Sequence, residues 1–104
     1  MFERSQEFTS LVMEQKVTIT ESGRSGAVIY HGSGGQISGW WEFAGGNALA
    51  IVSMGGLSEW EHGHTWAVDR RSEILRFVAE EVVRQKAGGR RYTLDEDSGF
   101  IEIV

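Results

Sequence analysis

Between Asp69 and Ala87, apolar side chains recur at the spacing of a helix. Ile74, Leu75, Val78, Ala79, Val82 and Val83 fall on one arc, and Glu73, Arg76, Glu80 and Arg84 fall opposite. The pattern predicts an amphipathic helix over 69–87 with one buried face. Asp69 suits the N-cap, because its carboxylate accepts from the unpaired amides of the first turn. Arg70 and Arg71 sit poorly in the dipole of a helix that starts there, which leaves a start nearer Thr65 open. Gly88 and Gly89 end the helix, since glycine enters the left-handed region without steric cost. Glu80 and Arg84 are spaced for an i,i+4 ion pair on the wet side.

Before this helix the period is two. Val17 and Ile19 alternate with Thr18 and Thr20. Ser22 to Gly26 is turn chemistry, and Ala27 to Tyr30 returns as the second strand of a hairpin. From Gln36 to Phe43, Ile37, Gly39, Trp41 and Phe43 share one face, while Ser38, Trp40 and Glu42 share the other. This places Trp41 in the core and Trp40 outside, and the interior Gly39 signals a bulge or a close backbone approach. Ala48 to Val52 is almost continuously apolar, the mark of a central strand. Leu57 to Glu61 reads as extended. Beyond the helix, Tyr92 and Leu94 alternate with polar neighbours, Asp97-Ser98-Gly99 turns, and Phe100 to Val104 forms a last strand. Residues 1–15 fit either a short helix, with Phe8, Leu11, Val12 and Gln15 on one face, or a strand through Leu11-Val12-Met13. The whole predicts a single α+β domain over 1–104. Its antiparallel sheet of roughly five to seven strands packs against one long helix, 69–87.

Composition narrows the class. A chain of 104 residues, 40% apolar and 24% charged, builds one globular core. The absence of cysteine excludes disulfides, thiolate chemistry and cysteine-bound zinc, and suits a cytoplasmic protein. No apolar run approaches the ~18 residues of a membrane span, and no basic-then-apolar leader opens the chain, so no membrane association is expected. The net charge of −5 argues against nucleic acid and allows a basic partner.

Candidate chemistry is sparse. His31-Gly32-Ser33-Gly34-Gly35 resembles a phosphate loop but lacks the lysine and following helix that would converge on an anion. His62-Gly63-His64, beside Glu59 and Glu61, is the best metal candidate, yet no third ligand is fixed. No metal and no cofactor are therefore expected. His31 with Ser33, or His64 with Asp69, lack any nucleophile motif, so no catalytic residues are assigned and the protein reads as non-enzymatic. The acidic residues say more. Residues 1–68 hold three basic and seven acidic side chains, and Asp95-Glu96-Asp97 forms a run. Glu59 and Glu61 flank Trp60. Carboxylates around an exposed aromatic suit a hot spot facing a basic partner, with a buried Trp60 under the helix as the alternative. The candidate contact residues are Glu59, Trp60, Glu61, Asp95, Glu96 and Asp97.

The order of these parts carries a resemblance. A strand pair, an apolar strand, Trp60-Glu61, a short polar loop, an amphipathic helix with its Ile74-Leu75 start, and a closing strand together resemble the bacterial immunity protein 74 family of polymorphic toxin systems. The likeness covers roughly Lys16 to Leu94. It implies a cytoplasmic, non-enzymatic inhibitor that binds one cognate toxin, with the inhibitor a monomer or weak homodimer. Two other readings stand beside it: a small-ligand or metal-binding module using the His62/His64 loop, and an effector chaperone with an apolar groove.

Overall fold

Alternating residues along the first half of the chain build a three-stranded meander. In the computed structural model, which describes residues 15–46 and 48–104, the strands are β1 (Lys16–Ile19), β2 (Ser25–Gly32) and β3 (Gly35–Phe43). β4 (Ala50–Ser53) follows, and β5 (Tyr92–Asp95) and β6 (Phe100–Ile103) close the described chain. All six strands form one antiparallel sheet in the order β1-β2-β3-β4-β6-β5. The fold is α+β, as the patterning predicts. β6 lies between β4 and β5, so the last strand is an interior one. The choice between helix and strand over 1–15 falls outside the described residues, Gln15 excepted.

Two helices and a tight connector join β4 to β5. α1 (Leu57–Gly63) runs into a 3-10 segment (Thr65–Arg70), which feeds directly into α2 (Arg71–Lys86). The expectation of extended chain at Leu57 to Glu61 is corrected. Gly55, at φ +93°, redirects the backbone, and Glu59 Oε1 then accepts the Gly56 amide at 2.8 Å. A glutamate at the third helical position fastening the cap amide is a helix-start device. Asp69 is not the N-cap of α2, because Asp69 lies inside the 3-10 segment. Helical turns begin at Thr65, the alternative start.

The buried face of α2 is the one the sequence marks. Ile74, Leu75, Val78, Ala79 and Val82 are buried, and Val83 is half-buried. They meet Val17, Val28, Tyr30, Ile37, Trp41, Val52, Ile101 and Ile103 from the inner sheet face in one core. Trp41 is inside, as alternation requires, and its Nε1 donates to Thr20 O at 2.8 Å. The expected Glu80–Arg84 pair does not form. Arg84 instead holds Glu81 at 2.8 Å, while Glu80 accepts from the Tyr92 hydroxyl at 3.4 Å. Glu80 is claimed by the strand beneath it.

The opposite face of the sheet is covered by no described element. Pairing carries Ala27, Trp40, Ser53, Phe100 and Asp95 across it in one row, and Ser25, Glu42, Ile51, Glu102 and Thr93 in the next.

Candidate functional site

The start of α1, which bears Glu59, and the 95–99 turn meet at one end of the sheet. Met54 N donates to Gly99 O at 3.0 Å, which ties the β5–β6 turn to the chain entering α1. Gly56 lies against that turn so closely that a Cβ there would stand 3.4 Å from Asp97 O and 4.0 Å from Glu59 Oε1. Asp95 accepts the Asp97 amide at 3.1 Å and shapes the turn. Glu96 reaches back to α2, accepting from Ser72 Oγ at 2.9 Å with Arg76 at 3.8 Å. Glu59, Glu61, Asp95, Glu96 and Asp97 are all exposed.

Trp60 does not belong with them. It is fully buried, its Nε1 donates to Met54 O at 2.8 Å, and the Arg71 guanidinium sits 5.3 Å from its ring. Its assignment as a partner contact is corrected: a helical turn sends Glu59 and Glu61 outward while Trp60 anchors α1 to the core. Arg71, too, turns inward, donating to Gly55 O at 3.0 Å.

Two exposed aromatics lie elsewhere, on the uncovered sheet face. Trp40 and Phe100 are 44% and 42% exposed, and their rings meet edge to face at 6.2 Å. Ser53 separates them in register, with β4 between their strands. Around them Glu42, Ile51, Thr93, Asp95, Ser98 and Glu102 complete a shallow hollow of about 520 Å3. Three carboxylates and no described basic side chain line it. Trp40 also walls a smaller cleft of about 140 Å3 that includes Glu59 and His64. The hollow and the acidic end are thus one continuous surface, joined through Trp40 and Asp95. Alternation alone shows that Trp40 faces out. That Phe100 lies beside it follows from β6 entering next to β4, which no local pattern reveals.

The histidines do not converge. Residues 57–63 are helical and His64 caps the helix end, so positions 62 and 64 are not presented to one side of a strand. His62 Nδ1 bonds Ser58 O at 2.8 Å, while His64 packs edge-on against Trp60 at 5.8 Å. No group of three potential metal ligands occurs among the described residues. His31 lies on the outer face between Thr18 Oγ1, at 2.9 Å, and Gln36 Nε2, at 3.2 Å. The glycine loop beyond it serves packing, for Trp66 lies over it and a Cβ on Gly34 would come within 2.5 Å of the indole. No helix of the described residues is long and apolar enough to cross a membrane. Comparison with protein-family models, with curated proteins and with solved structures finds no match to the chain.

Proposed function

We propose that the protein is a non-enzymatic inhibitor that binds and neutralises a cognate bacterial toxin through the outer face of its sheet. The observation that carries this reading is the exposed Trp40–Phe100 pair inside a ring formed by Glu42, Asp95 and Glu102. Aromatic anchors at the centre of a patch supply most of the binding energy in protein interfaces, and rim carboxylates steer a basic partner. The resemblance of Lys16 to Leu94 to a toxin-immunity family gives that partner its class. Glu59, on the cleft that Trp40 also walls, and the 95–97 turn extend the acidic rim.

Charge also selects among occupants. A second copy docking through a two-fold axis would bring the same carboxylates together, a repulsive arrangement. Residues 1–14 carry three glutamates against one arginine, so their charge matches that of the face instead of complementing it. A basic protein fits.

The test is cell survival with the toxin-like reading frame adjacent in the genome, paired with a binding titration at low and high salt. Trp40→Ala is expected to abolish protection, and Glu42→Lys with Glu102→Lys to slow association and flatten the salt dependence, each with the melting temperature little changed. Asp97→Lys tests the rim without breaking the cap that Glu59 makes. Full protection by all three variants removes this face from the interface, and a neighbourhood without a toxin gene removes the immunity reading.

A further inference from the structure

On the other side of the sheet, beneath the last turn of α2, the described residues leave a space in the core. A space of about 150 Å3 opens there, walled by Ile19, Val28, Trp41, Val52, Val82 and Ile103. The one polar atom of the Trp41 ring is already satisfied by Thr20 O, so the walls present carbon. Enclosed apolar spaces of this size accept guests the size of benzene, because their wall atoms lack neighbours on one side, and this one keeps a mouth through which a guest enters. Among the described lining residues the charged groups stand at the mouth, where Lys86 Nζ pairs with Glu21 Oε2 at 2.7 Å. The Arg24 guanidinium lies 5.4 Å from the ring of Phe43, another rim residue. Lys86 and Glu21 balance one another on the lining, and Arg24, beyond Phe43 and outside it, tilts the field at the mouth positive, in a chain whose net charge is −5. The Lys86–Glu21 pair is about half exposed on both sides, so solvent screens it and a competing anion exchanges with Glu21 readily.

We propose that this cleft binds a small aromatic carboxylate, its ring among Val28, Val52, Val82 and Ile103 and its carboxylate on Lys86 in place of Glu21. The apolar volume selects the ring, and the mouth selects the sign of the head group. The site lies behind the sheet from the Trp40–Phe100 hollow and does not rest on the toxin reading.

Benzoate, benzyl alcohol and benzylamine share one ring and differ in charge, which makes them the probes. Titrated into the whole protein and followed through the methyl resonances of Val82 and Ile103, benzoate is expected to bind saturably. Its advantage over benzyl alcohol is expected to be about tenfold, the scale of one charge-assisted contact, and benzylamine is expected to bind weakest. Ala50→Leu places carbon in the space and is expected to abolish binding without lowering the melting temperature; Ala87→Leu, at the other wall, reads the same if the first variant folds poorly. Lys86→Met is expected to keep the ring site and make benzoate and benzyl alcohol equal. Absence of a saturable benzoate shift, retention of binding in both filled variants, or a benzoate preference that survives Lys86→Met overturns the proposal.

Discussion

At Gly99 one methyl group separates a folded turn from a broken one. The residue has φ +78° and lies on the Gly55 carbonyl, so a Cβ would meet backbone that has no room to move. Gly99→Ala is expected to cost about 3 kcal/mol or more, from left-handed strain plus displacement of the 95–99 turn, read as a lowered denaturation midpoint. Tyr30 offers a titration instead. Burial raises its phenol pKa above the ordinary 10.0, with the nearby Arg70 opposing. A raised acid favours the protonated folded state, so its contribution is intact below pH 10 and is lost as pH climbs through the higher folded value. Tyr30→Phe is therefore expected to lose about 1 kcal/mol at neutral pH, from the hydroxyl that donates to Gln15 Oε1 at 3.0 Å, and to melt less steeply with rising pH above 10. A residual alkaline slope remains from Tyr92, raised by burial and by Glu80. The tryptophans show where single-residue reading ends. Alternation places Trp40 and Trp41 correctly because the sheet itself has period two. Trp60 misleads because its segment is too short to display a period.

Among the elements, α2 was the most legible, since sixteen helical residues complete several turns of one repeated stripe. Val78 lies at the centre of that stripe and is fully buried. Val78→Asp is expected to cost about 3–5 kcal/mol, because an unpaired carboxylate would face the sheet. A circular-dichroism melt in parallel with Arg84→Ala, a change on the wet side expected within about 0.5 kcal/mol of wild type, checks the orientation. α1 was not legible. It spans seven residues, and the cap that fixes it uses a glycine backbone and Glu59 rather than a hydroxyl or carboxylate at the cap position. The ion pair misassigned to Glu80 has a related cause: helical spacing offers Arg84 two glutamates, and the tertiary neighbour Tyr92 settles which one is free.

For the whole molecule, sheet order decides which exposed side chains become neighbours, and local pattern does not reveal it. The strands were visible one by one, but the entry of β6 between β4 and β5 depends on contacts nearly fifty residues apart in the chain, such as Ser53 with Phe100. The exposed aromatics at this end are therefore Trp40 and Phe100 and not the buried Trp60, with the acidic end near Glu59 and Asp97 beside them. The same order predicts a gradient of protection. Amide exchange is expected to be slowest in β3 and β4, which have neighbours on both sides, and faster in β1 and β5, which form the sheet's edges. Equal protection of β5 and β4 would contradict the order.

The interior place of β6 also governs how the protein comes into being. Synthesis delivers β1 to β4 and both helices before Phe100 has been added. Until that residue clears the ribosome, β4 carries an open hydrogen-bonding edge beside an apolar core. Such an edge recruits other strands, so a product of interrupted translation would arrive sticky and incomplete, a substrate for chaperones and proteases. The β5–β6 hairpin closes that edge in one docking step, and the same step brings Phe100 beside Trp40. Only a finished sheet displays the paired aromatics, so unfinished chains lack the surface that a partner would recognise.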